Sequence, residues 1–366
     1  MSEPIRILHV LQRMEAGGTQ ALLMNLYMNI DRKKVQFDFL VEYPNKEFYD
    51  DEIVKLGGRV YYSDVRISKN IFKFRKILSN LLKNNDYNII HVHAYTIGFF
   101  AFQVAKKYKI PVRIAHSHNN QTVKDKFYLL KLFMQKIYTK YATDLFACSK
   151  DAGNYLFKNK EFLVLNNCID SKKFIFNKDF RDEIRKELNI ENCFVVGHVG
   201  RLHQQKNHLF LLNVFKEIKN KKGNAKLLLV GSGPLENKIK NYVNELGLND
   251  DVIFLGVRQD VYKILMSFDV FILPSLFEGL GIVAIESQAA GTPIIISNGV
   301  PDSAILTPIC KKVSLSESYE EWASDALLMA DNEDSHKNMQ QFIIDGNFDL
   351  QSSVKWLENY YIKKSK

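Results

Sequence analysis

The sequence predicts an α/β protein of two doubly wound, Rossmann-like domains in tandem, and three observations support this fold class. The chain of 366 residues is too long for one ordinary domain and suits two. Short apolar runs alternate with segments of helical period, and strands divided by such helices form parallel sheets covered on both faces. The alternation stops at a polar, charge-rich stretch, residues 171–192, and then restarts.

The apolar runs predict the strands in order. The run Ile5–Leu11 predicts the first strand, and the Gly17-Gly18 turn leads from it into a helix near Thr19–Asn29. Later runs in the first half predict strands at residues 35–41, 60–63, 89–94, 112–118, 145–149 and 162–165. After the polar stretch, strands are predicted at residues 194–199, 226–230, 252–255, 270–273 and 293–297.

These elements predict a first domain over residues 1–172 and a second over residues 190–345, with the link near 170–190. The pattern of Leu350–Ile362 predicts a C-terminal helix within residues 346–366. Its periodicity leaves open whether it packs on the second domain or back on the first. Ligands of such sheets bind beyond the carboxyl ends of the strands, so a central cleft between the domains is the expected place for a two-substrate reaction.

Charge and cysteine usage narrow the class of protein. The net charge of +9 is uneven, because residues 1–180 hold 29 Lys+Arg against 17 Asp+Glu and the remainder is slightly acidic. The first half is therefore expected to meet an anion: nucleic acid, a membrane surface or a phosphorylated substrate. No C-x-x-C pair occurs, which predicts reduced thiols in a cytosol at the four cysteines Cys148, Cys168, Cys193 and Cys310.

Targeting signals are not evident. Arg6 and His9 interrupt the only apolar stretch of Met1–Val10, so a secretory leader is not expected. The longest weakly polar run, Tyr95–Ala105, is far short of the roughly 20 residues that span a bilayer. These features predict a soluble protein.

The segment Leu273–Gly291 concentrates the candidate chemistry. A buried strand ends at Pro274-Ser275, and a turn with Glu278, Gly279, Leu280 and Gly281 opens a helix that continues past Glu286. Free N–H groups at a helix start favour a diphosphate, and glycines allow it to approach the backbone. At ~1.5 Å per residue the two glutamates lie on the order of 10 Å apart, which suits the two ends of a nucleotide sugar better than an acid/base pair.

Two further loops of the second domain are candidates for anion binding. Gly200-Arg201 and then Lys206 follow the strand at residues 194–199, and such cations can stabilise an anionic leaving group where other enzymes use Mg²⁺. Gly231-Ser232-Gly233-Pro234 follows the next strand. As a phosphate loop it is a weak signal, because strand-to-helix turns commonly contain glycine.

Together these motifs resemble the retaining, GT-B-fold glycosyltransferases of family 4, the "glycosyl transferases group 1", and most of all members that build capsular or exopolysaccharide units. The specific part of the resemblance is G-R-x₄-K at Gly200–Lys206 with E-x₇-E at Glu278–Glu286. Weaker matches are the Gly17-Gly18 loop, I-I-H-V-H at residues 89–93, A-H-S-H-N at residues 115–119 and N-C-I-D at residues 167–170. Cys168 replaces the family's usual glycine, and a left-handed backbone there would strain the turn.

The resemblance implies a role for each matching position. It assigns acceptor binding to the first domain and the nucleotide-sugar donor to the second. By this resemblance, Arg201 and Lys206 would bind the diphosphate, and Glu286 would bind the ribose. Glu278, the backbone at Gly279–Gly281 and His118 would contact the donor sugar. The loop Gly256–Arg258 would contact the base, and Gly17-Gly18 would border the acceptor and the phosphate.

Other chemistries receive less support. His91, His93, His116 and His118 form two H-x-H pairs on predicted strands, but no carboxylate or cysteine is in register to complete a metal site. Strand-end packing is therefore preferred for the first three, and a sugar or acceptor contact for His118. The sequence has no D-x-D, no Walker motif and no G-x-S-x-G, which disfavours metal-chelating transferases, ATPases and hydrolases.

The segment Lys124–Tyr141 mixes lysines with aromatic residues in a pattern typical of an interfacial helix. Its apolar residues also fit the core face of an ordinary helix with lysines extending outward. We favour contact with an anionic membrane surface, and no motif supports nucleic-acid binding.

The sequence thus predicts a cytoplasmic, metal-independent and cofactor-free glycosyltransferase at the inner face of the cell membrane. It would transfer a sugar from a nucleotide-sugar donor, preferably UDP-linked, to a glycan acceptor on a lipid-linked oligosaccharide. One alternative is a UDP-sugar 2-epimerase on the same scaffold. The other is an inactive partner of a second transferase. It is disfavoured because an inactive partner would not need all four of the motif residues Arg201, Lys206, Glu278 and Glu286.

Overall fold

The computed structural model describes residues 3–15, 18–118, 134 and 136–365. The chain divides into two compact units. The first unit comprises Met1–Cys168 with Leu350–Lys366, and the second comprises Ile169–Asp349.

The first unit is built on a seven-stranded parallel sheet in the order β3-β2-β1-β4-β5-β6-β7. The pairing of β1 with β4 places His9 opposite His91. The strands are β1 Ile5–Leu11, β2 Val35–Val41, β3 Arg59–Tyr62, β4 Ile89–Val92, β5 Val112–Ser117, β6 Asp144–Ala147 and β7 Leu163–Val164.

Helices cover both faces of this sheet. Successive residues of β1 point to opposite sides, so Ile7 packs in one apolar cluster and Leu8 in the other. The helices of the unit are Gly18–Asn29, Asp50–Lys55, Val65–Ser68, Ile71–Asn84, Tyr95–Lys107, Lys150–Phe157 and Leu350–Lys364, with a 3₁₀ turn at Thr139–Tyr141.

The C-terminal helix Leu350–Lys364 packs in the core of the first unit, a point that its periodicity had left open. Leu357 and Tyr361 lie in the same apolar cluster as Phe37 of β2. The Tyr361 ring meets Phe37 edge to face, with centroids 6.0 Å apart. The chain therefore returns to its first unit after completing the second.

The second unit is built on a six-stranded parallel sheet in the order β10-β9-β8-β11-β12-β13. Its edge strand Cys310–Val313 was not predicted, because two lysines interrupt the apolar pattern of this short C-K-K-V run. The strands are β8 Phe194–Val199, β9 Ala225–Val230, β10 Val252–Gly256, β11 Val270–Leu273, β12 Ile294–Ser297 and β13 Cys310–Val313.

The polar stretch that separates the two alternating patterns belongs to the second unit, whereas the sequence suggested a link. It contains the helix Lys178–Glu187, in which Ile184 is buried and Arg185 donates a hydrogen bond of 2.7 Å to Asp269. The other helices of the unit are His208–Lys221, Glu236–Glu245, Val261–Ser267, Ile282–Ala289, Tyr319–Ala330 and Gln340–Asp345, with 3₁₀ turns at Gln204–Lys206 and Asp302–Ala304.

Two further expectations concern the backbone and the membrane. Cys168 is buried and is not among the described residues with a positive φ, so the cysteine imposes no left-handed strain on its turn.

Within the described residues, no helix is both long enough and apolar enough to cross a bilayer.

Candidate functional site

Three loops of the second unit meet at one edge of its sheet. They follow β8, β9 and β11, which are adjacent in the sheet, so the carboxyl ends of these strands lie side by side. The Gly200 N–H donates to the carbonyl of Val230 at 2.9 Å, and the Leu202 N–H donates to that of Ser232 at 3.0 Å. The loop after β8 is thereby held against the loop after β9.

The glycines of the loop after β9 allow this close packing. Gly231 has a φ of +128°, and a Cβ added there would lie 2.1 Å from the Gly200 oxygen. A Cβ on Gly233 would lie 2.4 Å from the Leu202 oxygen. Both distances are far inside van der Waals contact, so these glycines are required for loop packing. Phosphate binding by this loop stays a prediction.

Lys206 and Glu278 form an ion pair at the centre of this edge. The Lys206 Nζ lies 2.6 Å from the Glu278 Oε1, and the two side chains are only 14% and 8% exposed. The Ser275 hydroxyl donates to the same oxygen at 2.6 Å. The Gln205 side chain donates to the Phe277 carbonyl at 2.9 Å and ties the two loops together.

The same loops carry further hydrogen-bond donors. Arg201 is exposed and forms no ion pair with any described residue. Among the described residues, no group accepts a hydrogen bond from the N–H of Gly279, Leu280 or Gly281. Gly281, with a φ of +76°, caps the N-terminus of the helix Ile282–Ala289. The site is electropositive and suited to a diphosphate, because it combines the Arg201 cation, N–H donors of Lys206 beyond the one paired with Glu278, and a helix N-terminus.

Glu286 lies on the same helix and is half-buried. Loss of solvation raises the pKa of its carboxyl to about 7, and the charge of Lys173 opposes this shift. No described residue donates a hydrogen bond to the carboxylate in this structure. The group can therefore accept hydrogen bonds from a ligand such as a vicinal diol.

Arg258, which the resemblance places near the base, is engaged by carboxylates. Its guanidinium donates two hydrogen bonds of 2.8 Å to Asp260 and one of 2.9 Å to Glu187. These partners raise its pKa above the ordinary value. Gly256, with a φ of +63°, accepts a hydrogen bond of 2.7 Å from the Gly231 N–H. The loop at residues 256–258 is therefore fixed through its backbone as well as through Arg258.

Five histidines of the first unit form a stacked array at the ends of β1, β4 and β5. The His93 Nε2 lies 3.0 Å from the His9 Nδ1, and the His93 Nδ1 lies 2.8 Å from the His118 Nε2. The His91 Nε2 lies 3.0 Å from the His116 Nδ1. The two H-x-H pairs are thus brought together.

Burial favours the neutral form of these rings, and hydrogen bonds link them. Burial lowers the pKa of His9 and of His118 to about 3, and it lowers the pKa of the other three rings well below the ordinary value. Two groups of three rings have nitrogens within 4.8 Å of one another. Two nitrogens bound to one Zn²⁺ would lie roughly 3.4 Å apart, given a Zn–N bond of about 2.0–2.1 Å in a tetrahedral site. The observed 2.8–3.0 Å spacing indicates shared protons between the rings.

The sequence missed one member of this array and one of its hydrogen-bond partners. His9 occupies the position of β1 that pairs with His91, and only the strand pairing reveals it. The Tyr361 hydroxyl lies 2.7 Å from the His91 Nδ1 and comes from the far end of the chain. Of the predicted ligand-binding residues that the structure describes, His118 and Gly18 belong to the first unit, and Gly18 begins its first helix. The others lie in the second unit. Gly17 and most of the segment at residues 124–141 lie outside the described residues.

Comparison with known proteins identifies the family. The model for "Glycosyltransferase Family 4" matches residues 16–173, and that for "Glycosyl transferases group 1" matches residues 180–342. The putative glycosyltransferase EpsF of Bacillus subtilis is 34% identical, with 97% of this chain and 96% of EpsF covered. The capsular polysaccharide biosynthesis glycosyltransferase CapH of Staphylococcus aureus is 24% identical, with 99% of each chain covered.

Another relative and a solved structure complete the comparison. A UDP-Gal:alpha-D-GlcNAc-diphosphoundecaprenol alpha-1,3-galactosyltransferase of Escherichia coli is 30% identical over 75% of this chain and 78% of its own. The crystal structure of HepE from Anabaena, in complex with UDP, superimposes with a TM-score of 0.80 over 98% of this chain and 100% of its own, at 16% identity. This structural match shows the fold. The chain therefore belongs to the family 4, group 1 glycosyltransferases, has the GT-B α/β fold with two Rossmann-like domains, and is a glycosyltransferase of polysaccharide biosynthesis.

Proposed function

We propose that this enzyme transfers a sugar from a UDP-linked donor to a sugar hydroxyl of a lipid-linked oligosaccharide, with retention of anomeric configuration and without a metal ion. The observation that carries the proposal is the electropositive edge of the second unit. The exposed Arg201, the Lys206 ammonium and the N–H groups before Ile282 follow adjacent strands at this edge, which supports a diphosphate site there.

Catalysis in this proposal comes from stabilising the leaving group. As the bond between the anomeric carbon and the diphosphate oxygen breaks, negative charge grows on the diphosphate. Fixed positive charge and N–H dipoles then lower the barrier. Removing one such donor typically costs about 10²–10³ in kcat. Lys206 forms one ion pair with Glu278 and has three N–H donors, so it can bind a phosphate oxygen while the pair persists.

The remaining site residues have supporting roles in the proposal. Glu278 and the backbone at Gly279–Gly281 would bind the donor sugar, Glu286 the ribose, and the loop at Gly256–Arg258 the base. His118, a neutral ring hydrogen-bonded to His93, would contact the donor sugar. These assignments follow the family pattern position by position.

The donor and the acceptor classes are proposed from the relatives. The Escherichia coli relative is named for UDP-Gal and for a diphosphoundecaprenol-linked acceptor, and HepE was solved with UDP. A lipid-linked acceptor would place the enzyme at the inner face of the cell membrane. Contact through the segment at residues 124–141 is part of the proposal. EpsF, CapH and the Escherichia coli relative are all named as transferases, so transfer takes precedence over 2-epimerisation and over an inactive partner.

The test is a transfer reaction in EDTA with UDP-galactose and a short-chain prenyl diphosphate N-acetylglucosamine as the probe acceptor. Proton NMR of the product measures the coupling between H1 and H2. An α-linked product formed in EDTA, lost in Arg201→Ala and kept in the exposed control Lys222→Ala, is the expected result. A β-linked product, transfer only with Mg²⁺, or epimerised UDP-sugar without acceptor would contradict the proposal.

A further inference from the structure

Three of the stacked histidine rings form one continuous hydrogen-bonded chain, which we call the His9–His93–His118 chain. The His9 Nδ1 lies 3.0 Å from the His93 Nε2, and the His93 Nδ1 lies 2.8 Å from the His118 Nε2. The rings belong to β1 or directly follow β4 and β5, which are neighbours in the sheet. His93, in the middle of the chain, uses both of its ring nitrogens.

The two ends of this chain have different surroundings. His9 is fully buried, and its Nε2 has no hydrogen-bond partner among the described residues. The rings of Phe37 and Phe39 pack against it, with centroids 4.3 and 5.4 Å from that of His9. His118 is half-buried, and no described residue is hydrogen-bonded to its Nδ1. The chain therefore has a closed end at His9 and an accessible end at His118, where β5 ends.

A count of ring hydrogens shows which nitrogens carry them. A neutral imidazole has one N–H donor and one acceptor nitrogen, and burial lowers the pKa of all three rings. Three neutral rings hold three such hydrogens, and the two hydrogen bonds of the chain use two of them. The third lies at one end. On the His9 Nε2 it would be a buried donor without an acceptor, which folded proteins avoid. On the His118 Nδ1 it remains available to water or a ligand.

We infer that His9 and His93 are positioning residues, which hold His118 in the tautomer that carries its hydrogen on Nδ1. His9 donates to His93, and His93 donates to the His118 Nε2. The hydrogen bond that one nitrogen of a histidine makes determines whether the other nitrogen carries the hydrogen. The tautomer follows from the first unit alone, whereas its use toward a donor sugar rests on the proposed function.

This tautomer restricts what His118 can do in the reaction. Its Nδ1 already carries a hydrogen, and the lone pair of its Nε2 accepts the hydrogen bond from His93. The neutral ring therefore has no free nitrogen with which to take a proton from the acceptor hydroxyl. His118 acts as a hydrogen-bond donor to an oxygen atom of the donor sugar, and it is not a general base.

A second chain in the same array supplies a matched control. The Tyr361 hydroxyl lies 2.7 Å from the His91 Nδ1, and the His91 Nε2 lies 3.0 Å from the His116 Nδ1. Within the described residues, no hydrogen bond joins these three residues to His93 or His118. Tyr361→Phe thus removes a buried hydrogen bond of the array and leaves the His9–His93–His118 chain intact.

The test is ¹⁵N NMR of the purified full chain, labelled in its histidine rings, without substrates and at neutral pH. Long-range ¹H–¹⁵N correlations distinguish a ring nitrogen that carries hydrogen from a bare one, and the signals of His118 are identified by their loss in His118→Phe. In the wild type, the His118 Nδ1 should carry the hydrogen. His93→Phe keeps a ring in the stack but removes the donor, so the His118 signals should move toward the average of the two tautomers. His93→Asn supplies an amide N–H and should restore the wild-type pattern.

Initial rates of transfer in EDTA, from UDP-galactose to the prenyl diphosphate N-acetylglucosamine probe, measure the consequence for the reaction. His93→Phe should lower kcat about tenfold, the contribution of one hydrogen bond, with a smaller change in KM for UDP-galactose. His93→Asn should recover most of this loss. Tyr361→Phe should match the wild type both in kcat and in the His118 signals.

Three outcomes would overturn the inference. The first is a wild-type spectrum with the hydrogen on the His118 Nε2, which decides the tautomer without any variant. The second is a His93→Phe protein whose His118 signals equal those of the wild type. The third is a changed His118 spectrum with an unchanged kcat, which would remove the positioning role. Failure of the proposed function is distinguishable, because it shows as metal-dependent or absent transfer by the wild type while the substrate-free spectra stay as expected. Equal unfolding temperatures of variants and wild type exclude misfolding.

Discussion

The ion pair between Lys206 and Glu278 gives a prediction that separates stability from catalysis. Lys206→Met keeps the aliphatic stem and removes the ammonium that lies 2.6 Å from the Glu278 carboxylate, which is 8% exposed. Breaking a buried pair from one side costs about 3–5 kcal/mol. The carboxylate keeps its hydrogen bond from Ser275, so we expect the low end or somewhat less, about 2–3 kcal/mol. For a unit of this size, that lowers Tm by roughly 2–4 °C per kcal/mol.

A second variant tests whether the stranded carboxylate causes the loss. Adding Glu278→Gln to Lys206→Met removes the stranded charge and should restore most of the lost Tm, while UDP affinity stays low because the cation is absent. The control is Lys240→Met, which breaks an exposed pair of 2.7 Å with Glu236 and should change stability by less than about 0.5 kcal/mol. Scanning calorimetry measures stability and titration calorimetry measures UDP binding. The reasoning is refuted if Lys206→Met unfolds at the wild-type temperature, or if the double variant is no more stable than Lys206→Met.

Three more predictions follow from local geometry and protonation. Gly231→Ala should lower the unfolding free energy by about 3 kcal/mol, because its Cβ would lie 2.1 Å from a backbone oxygen at a φ of +128°. Gly279→Ala, whose Cβ would have no atom within 4 Å, should be nearly neutral. Denaturant titration compares the two variants, and equal losses of stability would contradict the packing role. Because the pKa of Glu286 is raised to about 7, its protonation contributes stability that is full below about pH 4.5 and is lost as the pH rises through 7. Relative to Glu286→Gln, the wild type should therefore lose about 3 kcal/mol of stability between pH 4.5 and 8, and parallel pH profiles would refute this. Because the pKa values of His9 and His118 are lowered to about 3, each ring should cost roughly 2 kcal/mol of stability at pH 5 relative to neutral pH. ¹⁵N NMR should show both rings still neutral at pH 5, and an imidazolium signal at that pH would contradict this.

Most of the fold followed from periodicity. Buried parallel strands are continuous apolar runs, so β1, β2 and β8 were predicted at the bounds that the structure shows. The edge strand at Cys310–Val313 was missed because two lysines interrupt its apolar pattern. Both lysines are only partly buried, and Lys311 pairs with Asp325 at 2.6 Å. The helix Lys178–Glu187 was taken for part of a link, because its charged residues bind the second unit through ion pairs, which leave no apolar signal.

The candidate site was found where its residues follow strand ends within a short stretch of sequence. Lys206 and Glu278 each follow a strand of the second unit, and adjacency of β8 and β11 in the sheet brings them together. Spacing could not show that they pair with each other, since that depends on rotamers within the two loops. His9 and Tyr361 could not be found from motif spacing, because strand pairing and the return of the last helix place them beside His91.

The most direct test of the central claim is nucleotide binding in EDTA. Thermal unfolding would be followed with UDP, GDP and ADP for the wild type, Arg201→Ala and the exposed control Lys222→Ala. A ligand at 100 times its Kd should stabilise the enzyme by about 2.7 kcal/mol. The account predicts that UDP stabilises the wild type and the control without metal, and that Arg201→Ala loses this effect. Stabilisation that requires Mg²⁺, or that persists fully in Arg201→Ala, would contradict it.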